Sequence, residues 1–141
     1  MAVFPSSDAV FQINDGTTLR DISPYILSID GLPVTRELKD ATGLNVLGRA
    51  FYPTLQNTVI TLELLWSKDA SVGPDLVFGA IFDDTAVRAW DWGPEGKVTG
   101  DIKYSGNCWL RAYTTPTIVG DLLKAHVELQ VDGVVTRGTY A

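Results

Sequence analysis

The chain has 141 residues with 11 basic and 17 acidic side chains, and its formal net charge is −6. The length predicts one domain, residues 1–141, with a core large enough to fold without cross-links. The acidic balance excludes the basic footprint that proteins use to grip nucleic acid, and the one cysteine, Cys108, excludes an intramolecular disulfide and favours a reducing compartment.

The N-terminal residues combine neither a basic segment nor a continuous apolar run, so we expect no signal peptide. No stretch approaches the roughly 20 apolar residues that span a bilayer. These features predict a protein that is made in the cytosol and has no membrane partner.

Short runs with β character fill most of the chain, and Gly, Pro, Asn and Asp separate them. Two runs show the sharpest period-two alternation, with apolar sets that begin at Ile60 and at Leu123. Turn chemistry predicts tight turns at residues 14–17 and at Asp132-Gly133. The predicted strands are residues 9–14, 18–22, 25–30, 54–66, 87–92, 104–114, 122–131 and 134–140.

One segment, residues 74–82, is predicted to be a helix. Pro74 suits the first helical position, and Asp75 suits the positive N-terminal end of the helix. A helix this short must be held by packing on a sheet. Its predicted apolar stripe consists of Leu76, Val77, Ala80 and Ile81.

The connection at residues 35–53 is longer than compact domains normally use, and such connections are usually functional or disordered. Disordered segments are poor in large apolar residues, whereas this one is rich in them. We therefore interpret it as an arm that finds its burial on another molecule, with folding back onto its own sheet as the alternative. Its apolar residues are Leu38, Leu44, Val46, Leu47 and Phe51.

About eight strands and one short helix, joined by Gly, Pro and Asp turns, predict a mainly β fold. We expect an antiparallel β-sandwich or barrel with one short flanking α-helix and a long inter-strand arm. Several strands must remain sheet edges, and no lysine-rich strand blunts them. Pairing with a neighbouring subunit is therefore physically possible.

Residues that carry catalysis or bind metals and cofactors are scarce. His126 lies on the polar face of its strand, and the sequence supplies no nucleophile and orienting partner for it. One histidine and one cysteine form no metal-ligand cluster, and the glycines form no phosphate-binding loop. Cys108 lies on an apolar face, where a thiol is inert. We expect no catalytic residue, no metal and no cofactor.

Four aromatic residues leave one alternative function open. Aromatic side chains on strands can form a stacking platform for sugars, so a carbohydrate-binding β-sandwich is the alternative. Aromatics in strands are more commonly cross-strand core and interface pairs. The residues concerned are Trp90, Trp92, Trp109 and Tyr113.

Several segments are informative through their order and spacing along nearly the whole chain. They are Ile22-Ser23-Pro24-Tyr25, Gly31-Leu32-Pro33, Arg36-Glu37-Leu38, Gly48-Arg49, Pro53, residues 57–65, Gly73-Pro74-Asp75, Trp92-Gly93-Pro94-Glu95-Gly96, Lys103-Tyr104-Ser105-Gly106 and residues 129–139. With this pattern the chain resembles the major tail tube proteins of long-tailed (siphovirus-type) bacteriophages, although no single segment is diagnostic.

The resemblance implies a virion protein that forms hexameric rings, which stack into the tail tube through which viral DNA is ejected. It also implies a tape-measure protein, a tail terminator and tip proteins as partners, and assembly in the host cytoplasm. Viral DNA would pass without specific binding, because an acidic lumen repels phosphates. Another tail component, such as a terminator or head–tail connector, is an alternative.

In this family a long loop between two early strands reaches a neighbouring subunit or ring, and the arm at residues 35–53 occupies its place. The resemblance therefore predicts that the arm is a subunit interface, reaching sideways within a ring, along the axis, or both. The predicted interface residues are Arg36, Glu37, Leu38, Lys39, Asp40, Leu44, Leu47, Gly48, Arg49 and Phe51.

Overall fold

The computed structural model describes residue 3 and residues 5–44, 47–67, 73–83 and 85–141. It confirms the mainly β prediction with one short helix. The elements are β1 (Val10–Asn14), β2 (Leu19–Asp21), β3 (Ile26–Asp30), β4 (Arg36–Asp40), β5 (Phe51–Gln56), β6 (Val59–Leu65), α1 (Pro74–Ala80), β7 (Arg88–Gly93), β8 (Ile102–Thr114) and β9 (Lys124–Thr139), with 3-10 turns at Ser6–Asp8 and Ser23–Tyr25.

Seven strands form one antiparallel sheet in the order β2-β1-β7-β8-β9-β6-β3, curled into a half-barrel. Strands β2 and β3 lie at opposite edges of this sheet, yet only residues 22–25 separate them in the chain. Four residues span at most about 14 Å, so the sheet must curl until its edges approach. The Phe11 amide donates to Ser23 Oγ at 2.8 Å and holds this link against β1.

The core fills the inside of the curl. Alternation predicted the buried face of two strands, because Ile60, Leu62 and Leu64 of β6 are fully buried and so are Ala125, Val127 and Leu129 of β9. Leu123, predicted to begin the second set, is instead exposed and precedes β9. The other fully or almost fully buried apolar residues are Phe11, Ile13, Ile22, Val77, Phe78, Ile81, Trp90 and Cys108.

Helix α1 packs on the core with a different stripe from the predicted one. Pro74, Val77 and Phe78 are its buried residues, whereas Leu76 and Ala80 of the predicted stripe are exposed. Phe78 contacts the Tyr113 ring, with the ring centroids 5.8 Å apart. A large aromatic side chain packed on β8 thus sets the rotation of the helix.

The two Asp-Gly turn signals have different outcomes. Asp15-Gly16 forms the predicted turn between β1 and β2, with Gly16 at a φ of 105°. The predicted turn at Asp132-Gly133 is wrong, because β9 continues through it. The β8–β9 register shifts beside this dipeptide, and Gly133 has a φ of 80°. Tight hairpin turns of types I′ and II′ and G1 β-bulges each place a residue at positive φ, so the same dipeptide can serve either one.

The predicted arm is a regular β-ribbon. Strands β4 and β5 pair as a separate two-stranded sheet, with Asp40 opposite Phe51. The strand predicted over residues 54–66 divides at Asn57-Thr58, so that β5 belongs to the ribbon and β6 to the main sheet. Asn45 and Val46, within the predicted arm, lie outside the described residues.

The backbone at Gly31 marks where the ribbon leaves the main sheet. Gly31 follows β3 with a φ of 91°, and the second peptide bond after it, Leu32-Pro33, is cis. A Cβ at Gly31 would lie 2.0 Å from the Val59 carbonyl oxygen, well inside van der Waals contact. Both the dihedral angle and the close approach therefore require glycine.

We expect Gly31→Ala to lower the free energy of unfolding by about 2 kcal/mol or more, because it adds a clash to a left-handed backbone. Urea unfolding followed by circular dichroism measures the change. Gly48→Ala is the matched control, since nothing lies within 4 Å of a Cβ there. Equal stabilities of the two variants would show that the junction tolerates a side chain.

Candidate assembly surface

Residues 36–56 are called the hairpin from here on, and among those that the structure describes, one face of the two strands is apolar apart from Asp40. Residues opposite each other in a β-ribbon share a face, and successive residues alternate between faces. Leu38 lies opposite Pro53, and Asp40 lies opposite Phe51. The hairpin therefore places Leu38, Phe51 and Pro53 together, with Leu55 two residues further along the same face.

The base of the hairpin is pinned to the main sheet by hydrogen bonds. The Thr35 amide donates to Thr58 Oγ1 at 3.1 Å, and the Asn57 amide donates to the Thr35 carbonyl oxygen at 3.0 Å. Further along, the Val135 amide of β9 donates to Gln56 Oε1 at 3.0 Å. These bonds fix the exit of both hairpin strands.

The tip of the hairpin has a short internal network. Arg49 Nη1 lies 3.1 Å from Asp40 Oδ2, and the Thr42 amide donates to Asp40 Oδ1 at 2.9 Å. Hydrogen bonds from the Thr42 hydroxyl and amide lower the pKa of Asp40. The Ala50 amide donates to Thr42 Oγ1 at 2.8 Å and so connects the two sides of the tip. Two of the predicted interface charges, Asp40 and Arg49, thus pair with each other inside the subunit.

The large apolar side chains of the hairpin lie in solvent. Leu44 is 95% exposed and Leu47 is 107% exposed, and Leu38 and Phe51 are more than half exposed. The alternative that these residues fold back on their own sheet is therefore wrong. All the predicted interface residues, Arg36, Glu37, Leu38, Lys39, Asp40, Leu44, Leu47, Gly48, Arg49 and Phe51, are exposed.

The hairpin differs in charge from the rest of the chain. It holds three of the 11 basic residues and two of the 17 acidic ones, which gives it a net charge of +1. The remainder holds eight basic and 15 acidic residues and carries a net charge of −7. The hairpin is thus a weakly basic, apolar ribbon attached to an acidic remainder of the chain. Opposite charges favour contact between the hairpin of one molecule and the acidic remainder of another.

Two groups of exposed apolar residues were missed by the sequence analysis. Tyr52 and Leu55 belong to the hairpin, although Leu55 was assigned to a core strand because of its β-rich surroundings. The second group lies between β8 and β9, where Pro and Gly signals indicated only a connection up to Asp121 and where Leu122 was predicted to begin a strand that in the structure starts at Lys124. Its exposed members are Ile118, Val119 and Leu122.

His126 lies in a polar group on the other face of the main sheet. Its Nδ1 contacts Glu63 Oε1, and its Nε2 lies 3.7 Å from Glu128 Oε1. The hydrogen bond to Glu63 is the largest effect and raises the pKa of His126, and Glu128 adds to it. Arg111 Nε lies 3.9 Å from Glu128. Two carboxylates stabilise the imidazolium form, which is an ion-pair arrangement typical of a polar sheet face.

Cys108 is buried, as its place on an apolar face predicted. Burial raises the pKa of its thiol to about 12, so the reactive thiolate is scarce at neutral pH. Within the described residues, His, Cys, Asp and Glu form no group of three or more that could hold a metal ion.

The aromatic residues considered for sugar binding do not share a surface. Trp90 is 1% exposed and stacks on Phe11 with the ring centroids 6.3 Å apart. Trp92 packs against the core, whereas Trp109 is partly exposed. Trp90 is therefore a core residue, and these tryptophans form no common platform.

Solved structures share this fold over nearly the whole chain. A chain from the tail of an empty gene transfer agent particle with C6 symmetry has a TM-score of 0.76 at 11% identity, covering 97% of this chain and 100% of that chain. A chain of the SPP1 tail tube has a TM-score of 0.74 at 8% identity, covering 97% of this chain and 80% of that chain.

A third structure extends the similarity to a contractile system. A chain of the sheath–tube complex of the PVC extracellular contractile injection system has a TM-score of 0.65 at 14% identity, covering 97% of this chain and 92% of that chain. No protein-family model and no curated protein sequence matches the chain. At these identities the shared property is the fold, which is that of tail tube proteins.

No helix among the described residues is both long and apolar enough to cross a lipid bilayer.

The environment of His126 predicts a titration that can be read directly, since it is the one histidine in the chain. Its imidazole pKa should lie above the ordinary value of about 6.5 and fall towards it in Glu63→Gln. Because the folded-state pKa is raised, its stabilising contribution is complete below about pH 6.5 and is lost as the pH rises through the folded-state value.

Imidazole resonances followed by NMR against pH give this pKa. Glu128→Gln is the control, and it should produce a smaller decrease because its oxygen lies further from the ring. A pKa that is unchanged in Glu63→Gln would contradict the assigned cause.

Proposed function

We propose that this chain is a structural virion protein that assembles into stacked hexameric rings and so forms a phage tail tube. The observation that carries the proposal is the fold, shared over 97% of the chain with a tail tube chain and with a chain of a C6-symmetric tail. The exposed hairpin supports it, because it supplies a means of attaching one subunit to another.

The hairpin needs a partner for energetic reasons. Fully burying a Leu or Phe side chain stabilises an assembly by roughly 1.5–3 kcal/mol, and the subunit leaves several such side chains in solvent. The proposed interface consists of Arg36, Glu37, Leu38, Lys39, Asp40, Leu44, Leu47, Gly48, Arg49 and Phe51, and Tyr52 and Leu55 extend it.

The sheet offers a second means of association. Strands β2 and β3 are its edges, so one side of each carries backbone groups that pair with no other strand in the described part of the chain. Edge strands of this kind pair readily with another chain. Contacts between different patches generate rings when the rotation closes and open-ended stacks when it does not.

The assembled tube would act as a conduit without chemistry of its own. The body of the subunit carries a net charge of −7 outside the hairpin, and acidic walls repel the phosphates of passing DNA. In this function the chain is not an enzyme and needs no cofactor. Its partners are further copies of itself, a tape-measure protein and terminator or tip proteins, and it assembles in the host cytoplasm before residing in the virion.

Negative-stain electron microscopy of the purified protein tests the proposal. At high concentration, or with tail-initiation proteins present, we expect rings and tubes of uniform width. A protein that stays monomeric under all these conditions would refute the proposal. Single rings that never stack would instead indicate a terminator.

Removing the apolar tip should weaken assembly and leave the subunit intact. The double variant Leu44→Ser/Leu47→Ser removes two side chains that are almost fully exposed in the subunit, so its melting temperature should not change. Its critical concentration for tube formation should rise by about tenfold or more, since each buried leucine is worth roughly 1.5–3 kcal/mol.

Val98→Ser is the matched control for this experiment. Val98 is 72% exposed and lies in the turn between β7 and β8. Sedimentation of tubes over a concentration series measures both variants. If the tip variant assembled like the wild type, the hairpin tip would have no part in the interface.

A further inference from the structure

The hairpin and the loop between β8 and β9 lie at opposite ends of the same three strands. Strand β6 pairs with β3 on one side and with β9 on the other. The hairpin leaves where β3 ends and β6 begins, beside Gln130 of β9. Residues 115–123, called the β8–β9 loop, precede Lys124, which lies opposite Leu65 at the far end of β6.

The β8–β9 loop is held in shape although its apolar side chains are exposed. The Trp66 amide donates to the Leu123 carbonyl oxygen at 3.0 Å, and the Asp121 amide donates to the Ile118 carbonyl oxygen at 3.1 Å. Lys124 Nζ lies 3.2 Å from Asp121 Oδ2. Val119, nevertheless, is 101% exposed. Ile118 and Leu122 are each more than two-thirds exposed.

We propose that the β8–β9 loop of one copy receives the hairpin tip of the next copy, so that Leu44 and Leu47 are buried against Ile118, Val119 and Leu122. The proposal rests on the proposed function and adds the receiving surface on the subunit. The contact connects the hairpin end of the strands in one copy to the far end of the strands in the next copy, so it orders the two copies head to tail.

The placement of the two surfaces favours a second copy of this chain as the occupant. A protrusion at one end and an apolar receiver at the other make each copy complementary to the next in the same orientation. Such a heterologous contact repeats without limit when its rotation does not close a ring, and a tube requires a contact of that kind. The charges agree with this, since the hairpin carries +1 and the rest of the chain carries −7.

A cysteine pair tests the contact. In Leu47→Cys/Val119→Cys every copy carries one thiol at the hairpin tip and one in the β8–β9 loop. Native Cys108 is 1% exposed, and burial raises its pKa to about 12, so it should not react. Treating assembled tubes with a short bis-maleimide should give a ladder of covalent multimers on a denaturing gel.

Leu47→Cys/Val98→Cys is the matched control. Val98 is 72% exposed, but it precedes Ile102, which pairs with Thr139 at the hairpin's end of the sheet. This pair should give no ladder. Equal ladders from both pairs, or tubes of the Leu47→Cys/Val119→Cys variant that do not cross-link, would overturn the proposal and leave the proposed function standing. If the wild type forms neither rings nor tubes, both fail.

A second variant gives an independent readout. Val119→Ser should raise the critical concentration for tubes by about tenfold without changing the melting temperature, because it removes an apolar side chain from the receiving surface only. Val98→Ser should leave that concentration unchanged. Wild-type assembly by Val119→Ser would also overturn the proposal.

Discussion

The close approach of the Gly31 backbone to the Val59 carbonyl oxygen is the constraint on which the departure of the hairpin from the main sheet depends. It lets β3 end beside the start of β6 while the chain turns out of the main sheet. Thr35 and Thr58 then fix the direction of the departing strands. The β3–β6 pair of the main sheet and the hairpin are thus two parts of one long antiparallel pair, divided at a point where no side chain fits.

The interior of the molecule buries its apolar side chains, whereas two places on its surface expose large ones. Among the described residues, no buried side-chain nitrogen or oxygen lacks a hydrogen-bond partner, and the apolar residues of the curl are buried. The hairpin and the β8–β9 loop nevertheless keep large apolar side chains in solvent while their backbones are held by hydrogen bonds. Rigid apolar surfaces of this kind lose little conformational entropy when they are covered.

The sequence predicts the parts of this fold in which burial alternates. Strand β9 shows period two because every second residue from Ala125 to Val131 faces the core. Strand β4 has both faces in solvent, so its residues show no such period and its pairing could not be predicted. Whether Asp132-Gly133 forms a turn or a β-bulge depends on how β9 pairs with β8. The local sequence carries no information about that pairing. The length and apolar content of the arm were sufficient to indicate a segment that keeps large apolar side chains exposed, whereas the position of the β8–β9 loop at the opposite end of the strands required the topology.

The separation of the hairpin and the β8–β9 loop has a consequence for any polymer joined through them. Such a polymer has direction, because one terminus displays unoccupied hairpins and the other displays unoccupied loops. The two termini grow at different rates in general, and they must be recognised by different proteins. A capping protein that imitates only the loop blocks one terminus and leaves the other free to elongate, so a fixed length requires a different cap at each end.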